Sequence, residues 1–203
     1  MMLDVTARPI VIIGGGAVAA RKVRVLLDAG ATQITCVAPS FCNELPHAVK
    51  RLQKEYEPAD LDGTSLVFAA TDREHVNDQV VRDAHARGLL VNRADADENE
   101  PGDFVTPALL LNGDLRIAVS AGSPALAAFI RDQLRSILDP AWSQMAAAMQ
   151  TLRPRITASG LGIDARRQIF RELAGEEAIG VLKRGGSDGL DAWLRERHPE
   201  LKL

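Results

Sequence analysis

Ile10-Val11-Ile12-Ile13-Gly14-Gly15-Gly16-Ala17-Val18-Ala19-Ala20-Arg21-Lys22 is the stretch on which the reading of this chain turns. Ile10 to Ile13 is apolar without polar alternation, as a strand covered on both faces must be. Three glycines interrupt the run, and a helical pattern then extends from Ala17 to Ala29 and stops at Gly30. Gly14 to Ala19 fits G-x-G-x-x-A at the mouth of that helix. In such a loop Gly14 permits the tight turn, Gly16 lets a pyrophosphate approach the backbone, and Ala19 lets the helix lie close on the sheet. The unpaired first-turn amides and the positive end of the helix dipole then face the phosphates. A merely structural glycine turn competes with this reading, but the strand before the loop and the helix and second strand after it favour a dinucleotide site. Arg8 ahead of the apolar run imitates a targeting signal. Because the glycines break that run and Arg21-Lys22 stands where a cleavage region would lie, a buried strand and turn is expected instead.

Outward from this loop, Ile34 to Ala38 reads as a second strand, Glu44 to Lys54 as a charged helical stretch, and Leu66 to Ala70 as a strand. Glu74 to Arg87 is helical with Gly88 as its stop, and Leu89 to Val91 is a further strand. The pattern is α/β, a Rossmann-like doubly wound parallel sheet. An acidic loop from Asp95 to Asp103 follows, then two strand-like runs around Asn112-Gly113, a strong hairpin signal. Ser123-Pro124 supplies an N-cap and a first-turn proline for a helix ending near Leu138, where Asp139-Pro140 stops it. Only helical patterns remain beyond, broken at Pro154, Gly160-Leu161-Gly162 and Gly185-Gly186. The expected organisation is a nucleotide-binding α/β domain over 1–103, a hairpin-plus-helix segment over 104–140, and a helical region over 141–203; the family resemblance given below makes these the NAD-binding domain, the dimerisation region and the helical region.

The 203 residues allow one or two domains, and 46% hydrophobic with 25% charged residues is an ordinary globular balance. Lys and Arg number 24 against 27 Asp and Glu, leaving a net charge of −3 and no basic excess for nucleic acid. No apolar run reaches the roughly 18 residues of a membrane span, and a cytoplasmic protein is expected. Cys36 and Cys42 make no Cys-x-x-Cys motif, and Cys36 lies in an apolar run, where it packs as a small hydrophobe.

The second strand ends in Ala38-Pro39-Ser40-Phe41, without the acid that often binds the adenosine ribose. Ser40 can bond a ribose hydroxyl, whereas NADP would want an arginine, and none follows before Arg51; NAD is therefore favoured. Thr71 sits at another carboxyl-end position where such sheets bind ligands, and equally where it could cap the next helix.

Several pieces in order resemble one family: Val11 to Lys22, Ala38-Pro39, Ala69-Ala70-Thr71-Asp72 with Asn77, Asn92-Arg93-Ala94-Asp95, Asp103-Phe104 with Pro107-Ala108, and Ser123-Pro124-Ala125-Leu126-Ala127. Together they resemble the precorrin-2 dehydrogenase and sirohydrochlorin ferrochelatase family of sirohaem biosynthesis, which includes the amino-terminal half of sirohaem synthases. The resemblance covers most of residues 8–138. It implies NAD-dependent oxidation of precorrin-2 to sirohydrochlorin, in some members followed by insertion of Fe2+, by a homodimer that closes the active cleft. It also implies that Ala17, Val18, Pro39 and Ser40 contact NAD, that Asp95 is the catalytic aspartate, and that Ser123 matches a serine phosphorylated in some members. Two departures stand out: the stretch from Asp95 to Phe104 is longer than the family's, and Ser120 to Pro124 is shorter. Both border the implied tetrapyrrole cleft and bear on iron or cobalt insertion more than on the cofactor residues.

Aromatising a partly reduced tetrapyrrole removes a hydride to the nicotinamide and a proton to a base, so the protein must supply a carboxylate beside the cofactor. Asp95 follows a strand at the carboxyl edge of the sheet and suits that role; composition alone would make it a solvated acid among Asp97, Glu98, Glu100 and Asp103. A calcium cage there lacks its glycine and terminal glutamate, so no metal site is expected. His75 and His85 are too far apart on one helix to chelate. The substrate side takes Asn92, Ser123 and Arg131. Arg131 with Arg135, one turn on, and the tail arginines Arg153, Arg155, Arg166, Arg167 and Arg171 offer a basic patch for a polyanion or are simply solvated faces. Arg21-Lys22 reads as a solvated first-turn pair. The competing functions are a non-catalytic NAD-binding redox-sensing dimer and another small-substrate NAD dehydrogenase; neither uses the Asn92–Asp95 and Ser123–Leu126 segments together.

Overall fold

The computed structural model describes residues 3–95 and 102–201, so Asp97, Glu98 and Glu100 lie outside the described residues. The chain divides into two compact units, Met1–Thr106 and Pro107–Leu203. In the first, the apolar runs form β1 (Pro9–Ile13), β2 (Gln33–Ala38), β4 (Leu66–Ala69) and β5 (Leu90–Arg93), with β3 (Lys50–Gln53) at one edge. All pair in parallel, in the order β3-β2-β1-β4-β5. Helix α1 (Ala17–Asp28) crosses from β1 to β2, and α2 (Glu74–Ala86) from β4 to β5.

Alternation along each strand feeds two cores. Ile12 is in register with Cys36 and Phe68, and these pack with Ala19, Ala20, Val23 and Leu26 of α1. Val11, Ile13, Val37, Val67 and Val91 point the other way, onto Val80, Val81 and Ala84 of α2. Each fully buried Ile or Val contributes about 1.5–3 kcal/mol, so two dry faces, rather than helix propensity, hold the layers together. Cys36 is one of these core residues, and burial pushes its thiol up to about 12.

The charged stretch Glu44–Lys54 is not a helix. Pro46 cannot donate an amide and disfavours a helical Leu45, while Leu45 and Val49 turn into the core. The free edge of β2 then takes Lys50–Gln53 as a strand, with Thr35 opposite Lys50 and Ala38 opposite Gln53. A tertiary pairing partner overrides local pattern here.

Arg21-Lys22 is not a solvated pair either. Arg21 is exposed, but Lys22 is half-buried, donates to Thr106 Oγ1, and sits 6.0 Å from the centroid of the Phe68 ring. Burial, with the charge of Arg21 adding, pushes its ammonium down to about 8. An unfolded lysine holds its proton to about 10.4, so above pH 8 the unfolded chain binds one more proton than the native one. The native chain is therefore expected to gain stability relative to Lys22→Met as pH rises from about 8 to 10.4, by at most about 1.4 kcal/mol per pH unit. Denaturant midpoints of the two proteins on either side of pH 8 check this; a constant gap refutes it.

In the second unit β6 (Ala108–Asn112) and β7 (Leu115–Val119) form the expected antiparallel hairpin, with Asn112 opposite Leu115 and Gly113 turning at φ 57°. Ser123 caps α3 (Pro124–Ile137), its Oγ accepting from the Leu126 amide at 3.2 Å. Asp139 ends that helix and caps the next, α4 (Pro140–Ala158), by accepting from the Ala141 amide. Pro154 does not break α4: Leu152 and Ile156 on either side of it are buried in one core with Ile169, Leu173, Leu182, Leu190 and Leu194. Those residues belong to α5 (Ile163–Leu173) and α6 (Glu176–Arg197), and the breaks at Gly160–Gly162 and at Gly186, where φ is 60°, fall as expected. Among the described residues no helix is long and apolar enough to cross a membrane.

Candidate functional site

The loop from β1 to α1 is tied from both sides. The Gly14 amide donates to Val37 O at 2.9 Å, and Gly15 O accepts from the Cys42 amide at 2.8 Å. Gly14 has φ 139°, and a Cβ there would stand 2.2 Å from Ala70 O; a Cβ on Gly15 would stand 2.0 Å from Ser40 O. No side chain fits either position. Gly16 differs: it is extended, caps α1 without a side-chain bond, and a Cβ on it would meet nothing within 4 Å. The space over Gly16 is open, with exposed Ala17 and Val18 starting the helix beside it. Unpaired amides and the positive dipole end facing an open cradle suit a pyrophosphate.

This cradle forms the floor of a cleft of about 730 Å³ at the carboxyl ends of β1, β2 and β4, where the strand order reverses. Gly14, Gly15, Gly16, Ala17, Val18, Pro39, Ser40 and Thr71 all line it. Three further lining residues, Glu55, Tyr56 and Arg73, were not legible as such in the sequence. Arg73 comes from the approach to α2 and pairs with Glu55 just past β3. Arg51 instead bonds Leu45 O at 2.7 Å and stacks 5.7 Å from the Phe41 ring centroid.

Thr71 serves the local turn, its Oγ1 accepting from the Arg73 amide, and also opens a buried network. Asn77, fully buried on α2, accepts from the Thr71 amide and hydroxyl through Oδ1, at 3.1 and 2.7 Å. Its Nδ2 donates to Thr71 O at 3.1 Å and to Asp95 Oδ2 at 3.0 Å. On the other side, Arg93 Nε donates to Asp95 Oδ1 at 2.8 Å and Nη2 to Oδ2 at 3.2 Å, while Nη1 reaches Asp78 at 2.6 Å. Burial alone would push the Asp95 carboxyl up; the Arg93 and Asn77 hydrogen bonds outweigh it and hold it below the usual carboxylate range. The signal for Asn77 is a lone amide on an otherwise apolar helix face beside Val80, Val81 and Ala84.

Asn92 is not brought to Asp95. It is in register with Phe68, and its Nδ2 donates to Phe104 O at 2.6 Å. Arg93, the next residue, points to the α2 face, as strand alternation requires. Asn92 Oδ1 is buried with no hydrogen-bond partner among the described residues. Gly102 lies against β5, where a Cβ would stand 2.6 Å from the Arg93 amide, and Asp103 pairs its amide with Val91 O at 2.8 Å.

Ser123 and Arg131 belong to the second unit. Ser123 is the α3 cap described above, and Arg131 pairs with Asp132 at 2.9 Å, an acid that Arg135 shares at 3.2 Å. Among the tail arginines, Arg155 pairs with Asp191, Arg167 with Asp164, and Arg153 stacks on Phe170. His75 is exposed, and His85 bonds Asp103 at 3.1 Å. Among the described residues no group of three His, Cys, Asp or Glu could hold a metal ion.

A parallel sheet, a glycine loop over a helix N-terminus, and a cleft at the switch point define a dinucleotide-binding α/β domain. Residues 1–108 match the NAD_binding_7 family of NAD(P)-binding domains, and the chain belongs to that family. The cofactor class is accordingly a nicotinamide dinucleotide. A siroheme synthase of Chromobacterium violaceum is 38% identical over 193 residues, covering 92% of this chain and 40% of that protein. Siroheme synthase 3 of Aeromonas hydrophila subsp. hydrophila is 36% identical over 188 residues, with 89% and 40% covered. The chain thus spans about two fifths of the length of these curated relatives. Among solved structures, "SirC, precorrin-2 dehydrogenase" shares the fold across 97% of this chain and 98% of its own, with a TM-score of 0.77 at 24% identity.

Proposed function

We propose that the chain oxidises precorrin-2 to sirohydrochlorin with NAD in sirohaem biosynthesis, with Asp95 as the reacting carboxylate. One observation carries the reading: an ionised carboxylate is clamped beside a dinucleotide cleft and bonded through Asn77 to Thr71 at the cleft's edge. A dinucleotide-binding module without chemistry would need that acid only as a counter-charge for Arg93. The names of the siroheme synthases and of SirC support a tetrapyrrole as the substrate.

The open cradle over Gly16 fits the cofactor: the glycine loop, Ala17 and Val18 would hold the pyrophosphate, and Pro39 and Ser40 would lie at the adenosine ribose. NAD, when bound, supplies the hydride acceptor. The ring loses a hydride and a proton, and Asp95 takes the proton on a carboxylate already turned by Arg93 and Asn77. NAD is preferred to NADP because the turn after β2 carries Ser40 and no cation, and Arg73, the one arginine lining the cleft among the described residues, is matched by Glu55, whose charge opposes a 2′-phosphate. Two free thiols suit a reducing compartment such as the cytoplasm. Leu111, Leu126, Phe129, Ile137 and Trp142 are 48 to 74% exposed on the hairpin, α3 and the start of α4, an apolar face suited to a homodimer.

The test is incubation with precorrin-2 and NAD, or NADP in parallel, followed by sirohydrochlorin absorbance and then by addition of ferrous iron. Faster oxidation with NAD by a protein sedimenting as a dimer is the expected result. Tight NAD binding without turnover would establish the redox-sensing alternative, and turnover only of another substrate would establish a different dehydrogenase.

A further inference from the structure

Residue 93 ends β5, and its side chain is 2% exposed. An arginine in that place is tolerated only if its charge is matched and its donors are used. Here the guanidinium makes a fork: Nε and Nη2 each meet one oxygen of Asp95, and Nη1 meets Asp78 on α2. The second element holding Asp95 is α2, through Asn77 Nδ2 on Oδ2. Three donors from two elements therefore reach one carboxylate, which leaves it little freedom to rotate.

We infer that Arg93 is a positioning residue for Asp95, setting the orientation of the reacting carboxylate and supplying its counter-charge from the sheet side. The inference rests on the reading of Asp95 given above. Arg93 does this by its shape as much as by its charge, since a planar fork meets both oxygens of one carboxylate at once and a lysine ammonium cannot. Asp78 holds the guanidinium in turn, so among the described residues the charged groups facing Asp95 are Arg93 from β5 and, behind it, Asp78 from α2, with Asn77 and Thr71 as neutral donors and acceptors. Two consequences follow. The carboxylate stays an anion well into the acid range, so activity should persist to a lower pH than an unassisted aspartate would allow. Losing the fork while keeping the charge should harm turnover without harming cofactor binding, because neither Arg93 nor Asp95 lines the cleft over Gly16.

Arg93→Gln and Arg93→Lys separate the two contributions. In Arg93→Gln the Asp95 carboxyl, followed by ¹³C NMR titration and assigned by its absence in Asp95→Ala, should titrate at or above the usual value of about 3.9, against a lower midpoint in the native chain. The acid limb of kcat for precorrin-2 oxidation should move up with it. Arg93→Lys should keep a low midpoint but lose turnover on the order of 10²-fold, with KM and NAD affinity unchanged. If Arg93→Gln fails to fold, the kcat and NAD affinity of Arg93→Lys decide the matter. Native turnover in Arg93→Lys, or an unmoved Asp95 midpoint in folded Arg93→Gln, overturns the role of Arg93. Full activity in Asp95→Ala overturns instead the reading of Asp95, so the two failures are distinct.

Discussion

Asp95→Ala is expected to fold, to bind NAD as the native chain does, and to oxidise precorrin-2 roughly 10²–10⁴ times more slowly. Folding survives because the guanidinium of Arg93 keeps Asp78 as a partner when Asp95 is removed. NAD binding survives because Asp95 is not among the residues lining the cleft. On the proposed role of Asp95, what is lost is the acceptor for the proton that leaves with the hydride. Asp97→Ala, two residues on, is expected to retain most activity; equal behaviour of the two variants would mean that position 95 has no special role. Stability carries a second signature. The native Asp95 carboxyl is held below its usual range, so its contribution is complete above the unfolded value of about 3.9 and fades as pH falls through the folded one. Asp95→Ala should therefore unfold more easily than the native chain at neutral pH, with the gap closing in acid. A gap that widened in acid would contradict the ion pair with Arg93.

The glycine loop should separate folding from binding. Gly16→Val is expected to fold normally, since a Cβ at Gly16 meets nothing within 4 Å and its φ of −86° suits any residue. Its NAD affinity should nevertheless fall about 10²-fold, because branched carbons would occupy the space over the α1 amides and cost one or two charge-assisted hydrogen bonds. Calorimetric titration with NAD measures this, and unchanged affinity would remove the pyrophosphate from that cradle. Gly14→Val should fail earlier, at folding: φ is 139°, and Cβ would stand 2.2 Å from the Ala70 carbonyl oxygen. Loss of a cooperative melt for Gly14→Val beside a native-like melt for Gly16→Val is the expected contrast.

The clamp on Asp95 explains how an exposed-looking acid in an acidic stretch becomes a distinct chemical group. A loop aspartate is usually mobile and fully solvated, with little to orient it. Here α2 and β5 approach it from two directions, and the same Asn77 that reaches Asp95 also fastens Thr71, so one buried amide couples the acid to the cleft's edge. A positioned general base gains its rate from such fixing more than from basicity.

By itself the sequence determined the fold class, the glycine turn between β1 and α1, the hairpin at Asn112-Gly113 and the Ser123-Pro124 helix start, because each depends on a few neighbouring residues. Apolar runs without alternation require a sheet covered twice, and glycine is the residue whose backbone can turn at Gly14. Tertiary structure alone decided the rest. Glu44 to Lys54 carries a helical charge pattern, yet the open edge of β2 makes its end a strand. Lys22 looks solvated until Phe68 and Thr106 are placed over it. Asn92 and Arg93 are adjacent in the chain but face opposite sides of the sheet, so only Arg93 meets Asp95. Asn77 and Asp95, like Arg73 and Glu55, are separated by 18 residues; the first pair meets because α2 and β5 lie side by side, the second because β3 and β4 both end at the carboxyl edge of the parallel sheet. Local backbone preferences act over a turn or two, whereas hydrogen-bond and charge partners are chosen by which strands lie side by side, and that order exists only once the sheet has formed.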